Sequence, residues 1–281
     1  MLKQLPDDLP VNVHGAIPPN RFWGYYTYQE IAELARNPNA TAVLNVGAVE
    51  QHGPHLPLMT DSLHGPEILG RALRRLPDDV VVLGLPPTVY GKSEEHREWP
   101  GTLTFSGDTL RRVLMDITMS VARSGFSKLV LLGSHGGNVG LLDDYFRDLR
   151  IASGLRVFKI YFGGIGNVPG LVDPEESAIG MHAGDSETSL ILGLAPQLVQ
   201  MDRAQGHVFD SHPLVGYSFK GQDVIEAWVS ADLSPSGAIG NPHSSSENKG
   251  RQMVEAKTAR LAELLEAVYR IPPREVRLAP R

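Results

Sequence analysis

Four short, almost uninterrupted apolar runs alternate along the chain with longer stretches of helical period. The runs cover residues 41–47, 80–85, 128–133 and 156–162. Each is bounded by Pro, Gly or polar residues, and a run of that length and kind reads as a buried strand. Thr27 followed three residues later by Glu30, with Ile31 and Leu34 on one face, forms a capping box at the start of a helix. Further helices are predicted over 62–76, beginning near Pro66, and from Ser106 to Ser124, stopped by Gly125. Others follow from Asn138 to Ser153, closed by Gly154, over 186–194, and as one long amphipathic helix over 247–270. Strands apolar on both faces, separated by helices, predict an α/β fold: a mostly parallel sheet covered on both sides as a three-layer α/β/α sandwich. Residues 1–20 read as an arm on the surface or at a subunit contact, and 21–281 as a single domain. The Gly-, Ser-, Pro- and His-rich stretch 203–246 carries no legible pattern.

Composition narrows the function more than the fold. The chain has 281 residues, 42% hydrophobic and 21% charged, with a net charge of −6. That balance, with scattered Lys and Arg, argues against nucleic acid or an anionic membrane as partner. Cysteine is absent, so disulfides, thiolate catalysis and Cys-ligated zinc are excluded. The first residues include Lys3, Asp7 and Asp8 with no apolar segment, and no run approaches the ~20 residues of a membrane helix. A cytoplasmic location is expected.

The chemistry concentrates where strands end. Directly after the first run come Glu50, Gln51 and His52, with Asp61 a short loop later. Side chains alternate along an extended segment, so Glu50 and His52 share a face. Two carboxylates and an imidazole at a strand end suit a hydrolytic Zn or Mn site. After the third run, Ser134-His135-Gly136-Gly137-Asn138 lets backbone approach a ligand closely, although the pair of glycines also suits a plain turn with Asn138 as cap. His135 is a further candidate ligand. In His182-Ala-Gly-Asp185-Ser-Glu187, Asp185 or Ser186 can cap the next helix and Glu187 suits its first turn without any metal. With Glu187 the metal-ligand inventory is Glu50, His52, Asp61, His135 and Glu187, and His182 and Glu187 are the catalytic candidates. The charged loop 90–102 reads equally as a solvated turn and as a substrate-facing loop. On the second reading Tyr90, Ser93, Glu95 and His96 meet substrate, together with Gly136 and Gly137. His55, His64, His207, His212 and His243 read as surface or supporting groups.

These segments resemble the creatininase (creatinine amidohydrolase) family. Its pattern Gly-x-x-Glu-Gln-His-Gly-x-His-x-Pro-x-x-Thr-Asp matches residues 47–61, and Tyr-Gly-x-Ser-x-Glu-His followed by an aromatic and Pro-Gly-Thr matches 90–102. Gly-His-Gly-Gly-Asn is similar to 134–138, with Ser134 in first place, and His-Ala-Gly-x-x-Glu-Thr-Ser matches 182–189. The resemblance implies an α/β/α fold, two divalent ions (Zn or Mn, with Fe possible), hydrolysis of a C–N amide bond, and a homo-oligomer, often a hexamer. It places the metals on Glu50, His52, Asp61, His135 and Glu187, with Asp61 as bridge, a metal-activated water as nucleophile, and His182 as proton carrier. Two departures follow. Creatininase has Tyr-Glu where this chain has Gly136-Gly137, and that Glu binds metal, which makes Glu187 the replacement expected here. Creatininase also has a Trp where this chain has Ala178, so the aromatic cover over a flat heterocycle is missing and creatinine is a poor expectation. A cyclic amide, a formamide or a small peptide-like amide is the expected substrate. The alternatives are a deformylase or peptidase of cofactor biosynthesis, or a non-catalytic metal-binding oligomer of the same fold.

Overall fold

The computed structural model describes residues 12–207, 217–218 and 224–272. Four parallel strands, β1 (Thr41–Val46), β2 (Val82–Gly84), β3 (Lys128–Gly133) and β4 (Arg156–Tyr161), form a sheet of order β2-β1-β3-β4. Thr41 pairs with Lys128 and Lys128 with Arg156, so the strand ends after β1, β3 and β4 lie level along one edge. Every residue of β1 and β3 is buried, as strands covered on both faces require.

Alternation along β1 divides the core in two. Val43 packs with Val130, Leu132, Ile68, Leu69 and Leu265 under α2 (Thr60–Arg74), α6 (Asp185–Leu194) and α8 (Glu247–Arg270). Ala42 and Leu44 face Leu129, Leu131, Leu110, Leu114 and Leu149 under α1 (Tyr28–Leu34), α3 (Gly107–Arg123) and α4 (Val139–Ser153). This is the expected three-layer arrangement. The capping box of Thr27 and Glu30 forms, Ser106 caps α3, and Gly154 closes α4 at φ 76°. Other short elements include α5 (Pro174–Ile179), α7 (Ser230–Leu233), several three-residue 3-10 turns and a two-residue parallel pair, β5 (Tyr217–Ser218) with β6 (Val224–Ile225). Among the described residues, no helix is long and apolar enough to cross a membrane.

Two expectations need correction. The helix predicted near Pro66 begins at Thr60 and carries Pro66 in its interior. An interior proline costs about 3 kcal/mol, yet every residue of α2 except Arg71 and Arg74 is buried, and packing outweighs that cost. Ser62 Oγ also donates to the carbonyls of Ala48 and Val89, tying the first turn to the loops above the sheet. The surface arm is only partly one. Ile17 is a core residue, and the Ala16 carbonyl carbon lies 2.1 Å from where a Cβ on Gly70 would stand, so residues 16–17 clamp α2. Residues 1–11 of that arm lie outside the described residues.

On the same face α6 and α8 cross without room for a methyl group. A Cβ on Gly250 would meet Ser189 O at 1.8 Å, and one on Gly193 would meet the Gly250 carbonyl carbon at 2.6 Å.

Candidate metal centre

The loop after β1 carries Glu50 and His52, the loop after β3 carries His135, and the first turn of α2 carries Asp61. All open at the carboxyl edge of a parallel sheet, where such folds bind ligands. The loop after β1 is held by Glu50 N–H donating to Leu58 O at 2.9 Å, and it turns at Gly53 with φ 64°. His182 and Glu187 come from the entry to α6. Ala183 between them adopts φ 52°, a left-handed conformation that costs a non-glycine residue roughly 1–2 kcal/mol. It persists because Ala183 N–H donates to Glu187 Oε2 at 2.6 Å and because His182 forms an antiparallel bridge with Ile239.

Asp61 sits in the middle. His52 Nε2 is 3.7 Å from its Oδ1, and His135 Nδ1 is 3.0 Å from its Oδ2. Glu50 offers Oε2 to His135 Nε2 at 3.2 Å and Oε1 to His182 Nδ1 and His96 Nε2, both at 3.6 Å. Glu187 Oε2 lies 3.9 Å from His52 Nε2. The donor atoms of Glu50, Asp61 and His135 lie within 4.8 Å of one another, as do those of His52, His182 and Glu187 and those of Glu50, His96 and His182. Both Glu50 carboxylate oxygens, His52 Nε2 and Asp61 Oδ2 are buried without a well-aligned hydrogen bond, and face the ring nitrogens and carboxylates of the cluster. Buried polar atoms are rarely left so. Clustered oxygen and imidazole donors at this spacing fit divalent cations of the Zn and Mn class. The supporting contacts fit as well: His52 Nδ1 meets Glu50 O at 3.1 Å and His135 Nε2 meets Lys92 O at 3.0 Å, which orients a nitrogen of each ring inward.

Electrostatics follow from crowding. Burial pushes the Glu50 carboxyl up to about 7, against the pull of His135. Burial would lower both His52 and His135. The carboxylates override it, with Asp61, Glu187 and Glu50 raising His52 to about 9, and Glu50, Asp61 and Glu95 raising His135 to about 10. Asp61 is held well below the carboxylate range by these two imidazoles despite its burial. His182 and His96 move the other way. Burial and the neighbouring His52 depress both, with His96 at about 3. In the metal-free cluster the carboxylates thus favour charged imidazoles at His52 and His135, and burial favours neutral ones at His96 and His182.

A cavity of about 790 Å³ opens over the cluster. Of the residues expected to meet substrate, Glu95, His96, Gly136 and Gly137 line it. Tyr90 does not, and Ser93 is buried behind His135, its Oγ 3.3 Å from Nε2. His182 and Glu187 face the cavity, whereas His52 and Asp61 are buried beneath it. The carboxylate beside Gly137 is not Glu187, which lies with His52, but Glu95. A Cβ on Gly137 would stand 2.1 Å from Glu95 Oε1. Ala178 is exposed on α5 and does not line the cavity. One histidine was undervalued: His64 is buried, lines the cavity, and brings Nε2 to 3.5 Å from Asp61 Oδ1. The i, i+3 relation of Asp61 and His64 signals this once both belong to one helix. His55 is a buried support, its Nε2 2.9 Å from Thr188 Oγ1, and His207 and His243 are exposed. His212 lies outside the described residues.

The profile of the creatininase family, described as creatinine amidohydrolase, matches residues 24–265. A mycofactocin precursor peptide peptidase from Mycobacterium ulcerans (strain Agy99) is 31% identical over 230 residues, covering 78% of this chain and 84% of its own length. A creatinine amidohydrolase from Pseudomonas putida is 30% identical over 270 residues, covering 90% and 98%. Among solved structures, a manganese creatininase superposes with a TM-score of 0.71 at 27% identity, covering 89% of this chain and 99% of that one. A creatininase mutant of Zn-Zn type gives 0.71 at 26%, covering 89% and 98%. The chain belongs to the creatininase family and is a hydrolase of that family.

Proposed function

We propose that this creatininase-family chain is a metal-dependent amidohydrolase whose substrate is a formamide or peptide-like amide larger than creatinine. The observation that carries the metal chemistry is the set of orphaned donors, Glu50 Oε1 and Oε2, His52 Nε2 and Asp61 Oδ2, buried within one cluster. Glu50, Asp61 and His135 would hold one divalent cation, and His52 and Glu187 the other, with one Asp61 oxygen facing each imidazole. Ions bound there supply a nucleophilic water near neutral pH and polarise the scissile carbonyl. The chain's own residues do the rest. Burial around Asp61 and Glu50 excludes bulk water and sharpens every charge in the site. His182, neutral and facing the cavity, would accept a proton from the attacking water and pass it to the departing nitrogen.

The substrate class rests on the cavity. Its volume suits a ligand well beyond a single small heterocycle, and although Trp228, Tyr161 and Phe162 line it, no aromatic side chain from position 178 does. Peptide peptidases stand among the relatives beside creatinine amidohydrolase, and a peptide-like amide fits both facts. The test is product formation by Mn- or Zn-loaded protein given creatinine, a formamidopyrimidine and a short peptide side by side. Chelator-sensitive cleavage of the peptide or the formamide, with creatinine inert, is the expected result. Creatinine turnover would overturn the substrate class. A protein holding two metals that cleaves no amide would favour a non-catalytic binding role. We further propose a homo-oligomeric assembly, as the family resemblance implies, and a cytoplasmic location.

A further inference from the structure

Gln51 stands between two ligand candidates, yet its own side chain points away from them and touches three parts of the chain. Gly53 N–H donates to its Oε1 at 2.8 Å, which identifies the oxygen of the amide. The opposite atom, Nε2, donates to Gly237 O at 3.1 Å and lies 2.9 Å from His96 Nδ1. An amide nitrogen only donates, so His96 Nδ1 must accept, and a neutral His96 then carries its proton on Nε2. The same residue's backbone does the reverse to a second imidazole. Gln51 O lies 2.6 Å from His182 Nε2. A carbonyl only accepts, so His182 carries a proton on Nε2, and a neutral His182 then leaves Nδ1 bare. The two rings stack, centroids 4.1 Å apart and planes 25° from parallel. Both line the cavity, and each turns its other nitrogen towards Glu50 Oε1 at 3.6 Å.

We infer that Gln51 is a positioning residue that fixes complementary faces on two stacked histidines: His182 presents an acceptor at Nδ1, and His96 presents an N–H donor at Nε2 to the substrate's carbonyl oxygen. His96 is therefore not a metal ligand, although its Nε2 lies within ligand spacing of Glu50 and His182. It gives a hydrogen bond and no proton, so it needs no second base to recharge it between turnovers. Its role towards substrate rests on the amidohydrolase reading above. The Nε2 proton of each ring rests on hydrogen-bond geometry.

The test is nitrogen NMR on protein labelled with 15N-histidine, before and after addition of Zn2+, with His96→Leu used to assign that ring. The expected spectrum shows His96 protonated on Nε2 and unprotonated on Nδ1, and unmoved by zinc, while His52 and His135 shift to metal-bound positions. In Gln51→Glu a carboxylate faces His96 Nδ1, and the proton should transfer there with zinc content unchanged. A wild-type spectrum with His96 protonated on Nδ1, or a His96 nitrogen that shifts to a zinc-bound position, overturns the inference even if Gln51→Glu fails to fold. A folded Gln51→Glu protein with the His96 tautomer unchanged overturns the part assigned to Gln51. On a substrate that the protein cleaves, His96→Leu should lower kcat by about 10²–10³ with KM and zinc content little changed. His96→Gln, which keeps an N–H donor, should recover part of it. Loss of zinc in both variants would make His96 a ligand and overturn the assignment.

Discussion

Replacing Gly137 with alanine adds a single methyl group at the point where the centre is tightest. The new Cβ would lie 2.1 Å from Glu95 Oε1, 2.5 Å from His135 Nε2 and 2.6 Å from Lys92 O. Ordinary contact begins near 3.4 Å, so His135 Nε2 must retreat by about 0.9 Å (3.4 − 2.5) and the Glu95 carboxylate by about 1.3 Å (3.4 − 2.1). Metal–ligand distances hold to about 0.2 Å, and the imidazole cannot retreat that far without losing Lys92 O or Asp61. Even disturbing a supporting contact weakens metal binding by about 10–100-fold. For a 30-fold loss, an ion at one hundred times its original Kd stabilises by about 0.9 kcal/mol in place of about 2.7 kcal/mol. The neighbouring glycine supplies the control. A Cβ on Gly136 meets nothing within 4 Å, so Gly136→Ala should bind zinc like the parent. Competition with a calibrated chelator gives the affinities, and melts with and without zinc give the linked stabilisation. Equal zinc affinity in parent and Gly137→Ala, or equal loss in both variants, would refute the placement of His135 in the metal centre.

Two further outcomes follow from packing and charge. Gly250→Ala gains about 1 kcal/mol of helix propensity but must open the α6–α8 crossing by about 1.6 Å (3.4 − 1.8) against backbone. Overpacking of that kind costs about 3 kcal/mol, so denaturant titration should find a net loss near 2 kcal/mol, and a gain would contradict the crossing. In chelator-treated protein, His52 at about 9 and His135 at about 10 stand above their unfolded value of about 6.5. Their contribution is complete below that value and is lost as pH rises through 9 and 10; His55, His96 and His182, pushed down by burial, oppose this only while unfolded histidine still titrates near 6.5, so stability should fall from pH 6.5 to 8. Above pH 8, Lys128 and Lys257, both pushed down to about 8 by burial, oppose the trend. Zinc reverses the slope, because its ligands must be deprotonated. Denaturant titrations at pH 6.5 and 8, with and without zinc, measure both, and a rise in the chelated protein would contradict the charge pairing.

The strands and most helices were legible because their pattern is local: Val43 and Leu44 differ in face simply by being neighbours on β1. Glu50, His52, His135 and Glu187 were legible as a group because each closely precedes or follows a readable element. Asp61 reads as a loop residue because Pro66 suggests a later helix start, and a loop position hides its i, i+3 relation to His64. The role of residues 237–241 could not be read at all. Gly237 acts through its carbonyl and Ile239 through a backbone bridge to His182, and backbone contacts leave no trace in side-chain pattern. Nor could sequence distinguish Glu95 from Glu187 beside Gly137, since that depends on how the loop over 90–102 folds back across the sheet edge.

The bridge between His182 and Ile239, and the contact of Gln51 with Gly237, also set an order in time. The first proposed ligand, Glu50, precedes Gly237 by 187 residues (237 − 50), which translation covers in roughly 10–40 s. Throughout that interval Glu50, His52 and Asp61 exist without the frame that positions His182. Closing contacts of such long sequence separation come late in folding. On the proposed metal chemistry, the nascent chain would therefore be a poor competitor for free metal until its last quarter has been made, and ions would enter a nearly finished protein.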